Sequence, residues 1–261
     1  WGTLTLVALL GARWLLARTG TGRTGAVVGA LVYGLSPYQL AFTARMSVLL
    51  LPWAVLPWLV GLTMRATREG GWRAPAIAAL VLVGAGGVNA SSLLLVGLAP
   101  LIWVLLELVR RRGAPAVLAA AGRLLVLAAG VCTWWSVGLW LQGRYGLPVL
   151  QLTENARTVA EWSSPPEVLR GLGNWFFYGR DEVGWSLDQA QAYAEDRVVI
   201  AAGLLLTGIA VGGGLLVRWG HRAYYGLLVV AGTVVAVGAW PVGDGSLWAR
   251  AWLRLSDTTS I

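Results

Sequence analysis

The chain has 261 residues, of which 57% are hydrophobic and only 12% charged, and its mean hydropathy is +0.68. An ordinary soluble domain, about a quarter charged, is excluded. The formal charge of +8 rests on arginine alone, since the sequence holds no lysine, and the arginines flank apolar runs instead of forming one solvated stripe, which argues against a nucleic-acid partner.

A membrane-spanning helix needs about 20 mostly apolar residues. The first such run, 2–17, opens the chain with no initiator Met or basic leader before it, so the sequence reads as a piece of a longer protein. Residues 24–35 follow and are short for a crossing. The run 48–64 contains Pro52 and Pro57, each expected to kink it by removing an intrahelical hydrogen bond. Residues 74–86 are again short, and 91–109 and 124–141 are of crossing length. The two short runs are expected to be broken or re-entrant, which hydrocarbon tolerates only where protein or water covers the backbone. A polar, aromatic stretch at 142–197 precedes the last two runs, 198–217 and 223–239, and residues 240–261 close the chain.

The arginines orient these runs. Arg18 and Arg23, then Arg65, Arg68 and Arg73, then Arg110 to Arg112 with Arg123, then Arg218 and Arg222 occupy every second connection. By the positive-inside rule those connections are cytoplasmic and the alternate ones face out. The expected fold is all-α: a polytopic transmembrane helical bundle with a partly helical extracytoplasmic loop. Residues 1–141 supply about six membrane helices, 142–197 the loop, 198–239 two more helices and 240–261 a further outer segment. A multi-pass plasma-membrane protein with its active face outside is the corresponding location.

The candidate functional residues lie on that outer face. Arg45, between Ser36-Pro37-Tyr38 and an apolar run, departs from the positive-inside trend. It either snorkels to lipid phosphate or holds the phosphate of a lipid-linked substrate, for which a guanidinium is well shaped. Asn89, in the Gly86-Gly87-Val88-Asn89 turn, either forms the turn or lines a polar ligand site; its Asn-Ala-Ser sequon lies too close to the membrane for glycosylation. Arg144 is expected in the polar exit Gln142-Gly143-Arg144-Tyr145-Gly146, beyond a span whose Trp134, Trp135 and Trp140 suit interfacial anchoring. Glu154 follows in apolar surroundings, where a carboxylate is costly unless wetted or paired with Arg144 or Arg157. Ser164-Pro165-Pro166-Glu167 reads as a helix start, with residues 168–178 an amphipathic helix on the membrane surface. Trp175 and Tyr178 within it suit either sugar stacking or seating in the bilayer.

Other motifs carry less. Gly20, Gly22 and Gly25 match a dinucleotide fingerprint but lie between two apolar helices, without the strand that motif requires. His221 is the only histidine and Cys132 the only cysteine, so neither a catalytic triad, a dedicated His/Cys metal site nor an internal disulfide is expected. No cofactor is assigned.

Four strings carry a resemblance: SPYQLAFTARMSVLLLPWAVLPWL from Ser36, GGVNASSLLLVGLAP from Gly86, QGRYGLPVLQLTE from Gln142 and SPPEVLRGLGNWFFYGRD from Ser164. From about Ser36 to about Val242 the chain resembles the large actinobacterial alpha-(1→3) arabinofuranosyltransferases, multi-pass GT-C enzymes of the cell envelope. The resemblance implies a GT-C-like bundle. It also implies a decaprenyl-phosphoryl-arabinofuranose donor and an arabinan acceptor, in arabinogalactan or lipoarabinomannan, at the outer face of the bilayer. It places the catalytic acid of such enzymes in a first outer loop expected upstream of Trp1, so no residue here receives that role and the piece alone is expected to be inactive. On this reading Arg45 and Arg144 hold donor phosphate, Asn89 and Glu154 meet hydroxyl groups, and Trp175 and Tyr178 pack the sugar. The competing readings are a transporter or flippase for a lipid-linked sugar, and a GT-C enzyme using another polyprenyl-linked sugar.

Overall fold

A computed structural model of the chain describes residues 2–87, 90–110, 113–146, 160–171, 179, 184–185, 188–241, 249–251 and 254, with the side chains of 44, 45, 188 and 189 outside that description. The regular elements among the described residues are helices. They are α1 (Gly2–Arg18), α2 (Arg23–Gly34), α3 (Pro37–Arg45), a 3-10 turn (Ser47–Leu49), α4 (Leu50–Glu69), α5 (Arg73–Ala85), α6 (Ala90–Val109), α7 (Ala114–Tyr145), α8 (Pro165–Leu169), α9 (Asp188–Glu195), α10 (Arg197–Leu216) and α11 (Arg222–Val237). Four are long and apolar enough to cross a membrane: 47–69, α6, α7 and α10. The bent pair α2 and α3, at 45°, makes a fifth if counted as one broken span, and α5 and α11 are shorter apolar helices. This is an all-α membrane protein.

The chain divides into two units, 1–145 with 219–224, and 146–218 with 225–261. In the first, α4 is the spine: it packs on α1, α5, α6 and α7, and α1 also packs on α2. Of the crossing window in α4, 61% is buried, against 11% in α6 and in α7. The leucines and valines of the outer helices, such as Leu80, Leu94 and Leu125, remain exposed, as hydrocarbon-facing residues should. The α1–α4 crossing is an exchange of large for small. Trp58 of α4 seats over Gly11 of α1, and Trp14 of α1 seats over Gly61 of α4, where any Cβ would overlap the indole. The two rings stack at 5.2 Å, and Trp58 Nε1 donates to the carbonyl of Val7 at 3.1 Å. Small residues that let helices approach closely are what membrane interfaces use.

In the second unit, α8, α9 and α10 meet around one arginine. Arg170 closes α8 and its side chain is 1% exposed. It pairs with Glu167 at 3.0 Å and donates to the carbonyl of Tyr193, on α9, at 2.6 Å. Its guanidinium stem rests against Gly203 of α10, and Thr207 of α10 donates to the carbonyl of Leu169 at 2.8 Å. Asp196 caps α10 by accepting from the amides of Val198 and Val199.

Several expectations need correction. Pro52 lies in the first turn of α4, where its missing N–H belongs to no intrahelical bond, so of the two prolines only Pro57 is internal. The helix predicted at 124–141 runs from Ala114 to Tyr145, 32 residues or about 48 Å, so it outreaches the hydrocarbon. Arg144 is therefore in the last turn of α7 and not in an exit loop. Of the helix predicted over 168–178, the described residues show its start earlier, at Pro165, and an end at Leu169, followed by Gly171 at φ +80°, a residue without a Cβ; residues 172–178 lie outside the described residues.

Candidate functional site

The alternation of the helices gives the first unit two chemically different ends. One collects most of the arginines; the other collects the end of α2, all of α3 with Arg45, the start of α4, the α5–α6 turn and the end of α7 with Arg144. The candidate site is built at this second end around α3.

Ser36 starts α3 by accepting from the amide of Gln39 at 3.4 Å, and Pro37 fills N1. Gln39 is fully buried. Its Nε2 donates to Thr5 of α1 at 2.9 Å and lies 3.5 Å from the hydroxyl of Thr43, while its Oε1 has no partner among the described residues. A buried amide tied to two helices fixes the tilt of α3 against α1.

An aromatic wall stands beside it. Tyr33 and Trp53 are stacked almost parallel, 4.2 Å apart, and Tyr38 leans on Trp53 at 5.2 Å and on Phe42 at 4.7 Å. The sequence explains the anchor of this wall. Pro57 has no N–H to give the carbonyl four residues earlier, that of Trp53. The Tyr33 hydroxyl donates to that carbonyl at 2.7 Å. The helix break that proline imposes thus becomes the hydrogen-bond acceptor that locks α2 to α4.

Arg45 is the last residue of α3, seven residues and so about two turns beyond Tyr38. Its side chain lies outside the described residues, as do all of Asn89, Glu154, Trp175 and Tyr178. Arg144 is exposed, its guanidinium carbon 5.6 Å from the Trp140 ring and 5.8 Å from that of Tyr145. The Gly86-Gly87 turn that leads to Asn89 is seated on Trp135 and Trp134 of α7, where a Cβ would crowd the indoles. Arg144 stands nine residues past Trp135, about 13 Å along the helix. No hydrogen bond or ion pair joins Arg144 to α3 among the described residues.

The arginine end carries a polar cluster that spacing alone did not reveal. His221, read from sequence as a solitary loop residue, accepts at Nε2 from Arg68 at 2.8 Å, which leaves Nδ1–H to donate to the carbonyl of Thr19 at 3.1 Å. The ring lies over Trp103, which is fully buried and donates to Thr67 at 3.0 Å. Tyr224 meets Trp103 edge to face at 5.3 Å and donates to the carbonyl of Ala99. Burial, then the charge of Arg68, holds the imidazole below its usual range. A histidine whose partner lies 153 residues away has no local signature. No group of His, Cys, Asp or Glu able to hold a metal occurs among the described residues, and Gly20, Gly22 and Gly25 lie in and after the α1–α2 turn with no strand before them.

Comparison with known proteins gives this architecture a family. The model described as "Alpha-(1->3)-arabinofuranosyltransferase, N-terminal GT-C domain" matches residues 1–260, including 1–34 and 243–260, which lie outside the stretch from about Ser36 to about Val242 over which the sequence resemblance runs. A Mycolicibacterium smegmatis (strain ATCC 700084 / mc(2)155) protein named alpha-(1->3)-arabinofuranosyltransferase is 30% identical over 219 residues, covering 78% of this chain and 15% of its own length. A protein of the same name from Mycobacterium tuberculosis (strain ATCC 25618 / H37Rv) is 30% identical over 179 residues, covering 67% and 12% respectively. The chain thus spans less than a sixth of either curated relative. No solved structure matches it significantly. A family match over nearly every residue, on an all-helical membrane bundle, identifies the chain as a member of the alpha-(1→3)-arabinofuranosyltransferase family, in the part described as its N-terminal GT-C domain.

Proposed function

We propose that this chain is part of a membrane glycosyltransferase that moves arabinofuranose from a decaprenyl-phosphate carrier to cell-wall arabinan, at the outer face of the plasma membrane. The observation that carries the reading is the family match over residues 1–260. The build of α3 supports it: a short, capped helix with a polar buried anchor, an aromatic wall beside it and Arg45 at its end. Aromatic faces beside polar groups suit a sugar ring, and a guanidinium suits a phosphodiester. In this reading Arg45 holds the donor phosphate, joined by Arg144 if the tip of α7 bends over the site. Asn89 and Glu154 meet sugar hydroxyls, Trp175 and Tyr178 pack the furanose, and Tyr38 extends that packing surface. The orientation rests on the arginine-bearing connections being cytoplasmic. No residue is assigned as catalytic base.

The direct test is arabinosyl transfer by the full-length protein carrying Arg45→Ala. Loss of one charge-assisted contact to phosphate should weaken donor use by about tenfold or more. Unchanged turnover and donor affinity would remove Arg45 from the site. Thiol labelling of intact cells, in a Cys132→Ser background, tests the sidedness: Glu161→Cys should react from outside and Thr21→Cys should not. The reverse pattern would overturn the outer-face reading.

A further inference from the structure

At the arginine end of the first unit, α1, α2 and α4 enclose a groove of about 660 Å³ with Arg13, Arg18 and Arg23 on its walls and Trp14 and Trp58 among its lining. That is within the range of small-molecule sites, roughly 300–1,000 Å³. Two of the three arginines reach it from unfavourable places, while Arg18, in the last turn of α1, suits the helix dipole. Arg13 interrupts the otherwise apolar run of α1, five residues or about 7.5 Å along the helix from Arg18, and a cation within such a run of a membrane protein is costly. Arg23 opens α2, where a positive charge opposes the helix dipole. Gly22 offers no side-chain cap, and the first bond of α2 is the Ala26 amide to the Gly22 carbonyl, so the amides of Arg23, Thr24 and Gly25 have no helical acceptor. Among the described residues no carboxylate forms an ion pair with any of the three; Glu69 is itself paired with Arg65 at 2.8 Å.

The placements of Arg13 and Arg23 each cost stability alone, and one bound anion would offset both. The groove is also held in shape. Arg18 lies 4.6 Å over the Trp14 ring, and that ring is fixed by its stack on Trp58 and its seat on Gly61. Apart from Thr21 the remaining lining is apolar: Leu10, Ala17 and Ala26, with Leu10 exposed. We propose that this groove binds an anionic phospholipid, its phosphate held between Arg13, Arg18 and Arg23 and its glycerol and upper acyl carbons lying along Leu10 and the indole pair. The apolar floor selects a lipid over a soluble phosphate. The site stands at the opposite end of the bundle from α3 and does not depend on the sugar-transfer reading.

Native mass spectrometry of the full-length protein tests it, with phosphatidylglycerol, phosphatidylcholine and free glycerol 3-phosphate as probes. Phosphatidylglycerol should bind the wild type, and Arg13→Gln or Arg23→Gln should each weaken it by about tenfold, the loss of one charge-assisted hydrogen bond to phosphate. Arg73→Gln, on the same end but outside the groove, should leave it unchanged. Hydrogen exchange of the wild type covers the case in which a variant fails to fold: the amides of 18–26 should exchange more slowly in phosphatidylglycerol than in phosphatidylcholine nanodiscs. Equal binding of the two lipids, equal exchange in the two nanodiscs, the same loss in Arg73→Gln, or displacement by glycerol 3-phosphate at matched concentration would each overturn the proposal.

Discussion

Replacing Tyr33 with phenylalanine should destabilise the bundle only as long as Pro57 is present. The hydroxyl of Tyr33 donates at 2.7 Å to the carbonyl of Trp53, the group that Pro57 deprives of its helical donor. Tyr33→Phe keeps the ring and its parallel stack on Trp53, so the variant removes one donor and little else. A buried carbonyl left without a donor costs about 1–3 kcal/mol, while hydrogen bonds between membrane helices average about 0.6 and reach about 1.7 kcal/mol. The expected loss is therefore about 1–2 kcal/mol, the upper part of the membrane range. Pro57→Ala restores the N–H, and in that background Tyr33→Phe should cost no more than about 0.5 kcal/mol. Equilibrium unfolding in mixed micelles, followed by tryptophan fluorescence, measures all four corners of the cycle. If Tyr33→Phe costs the same in the Pro57→Ala background as in the wild type, the hydroxyl is not serving the carbonyl that proline frees, and the account of this wall is wrong.

Two further perturbations follow from the same geometry. Arg170→Ala should cost roughly 3 kcal/mol, the lower end for breaking a buried pair, because Glu167 keeps 29% of its side chain exposed; amide exchange in α9 reports it, and unchanged protection there would refute the clamp. His221 gives a pH signature. Its folded-state pKa is lowered by burial first and Arg68 second, with Arg110 adding and the Thr19 carbonyl and Glu107 opposing. The unfolded chain thus binds the proton more tightly, and the contribution to stability is intact above about pH 6.5 and lost as pH falls below it. His221→Gln, which can still accept from Arg68 and donate to Thr19, should flatten the melting temperature between about pH 7 and 5; an unchanged slope would place the titration elsewhere.

The long helices are legible because each is an apolar run, and their ends are less so; α3 and α9 are too polar to carry that signal. Residues 114–123 lowered the hydrophobic signal enough to hide the first turns of α7, yet Ala is the strongest helix former and Ala114, Ala116, Ala119, Ala120 and Ala121 all fall there. At the other end, Gln142-Gly143-Arg144-Tyr145 is polar and reads as a loop, yet it continues the helix. Gln39 was not singled out, since its burial depends on which face of α1 presents Thr5, 34 residues away. Arg13 also escaped notice: one charge inside an apolar run leaves a span recognisable, and only the packing of α2 and Trp58 beside it makes a groove. Arg45 was found by its breach of the charge pattern, a signal that needs no tertiary structure.

The 16 tryptophans illustrate what sequence patterning leaves undecided. Indole at a membrane invites an interfacial reading, and Trp140, exposed near the tip of α7 beneath Arg144, fits it. Trp58 and Trp103 do something else. Each gives a single N–H to a neighbouring helix, to the Val7 carbonyl and the Thr67 hydroxyl, while its remaining surface fills the space beside small residues or aromatic neighbours. A chain with 12% charged residues has few polar side chains to join its helices, and hydrocarbon gives no hydrophobic force between them. A large apolar ring with one donor supplies dispersion and direction together. Because α4 takes part in both of these bonds and in the Tyr33 bond, it holds the α3 wall, the arginine groove and the His221 cluster in one register. A substitution on its buried face should therefore be felt at both ends of the unit.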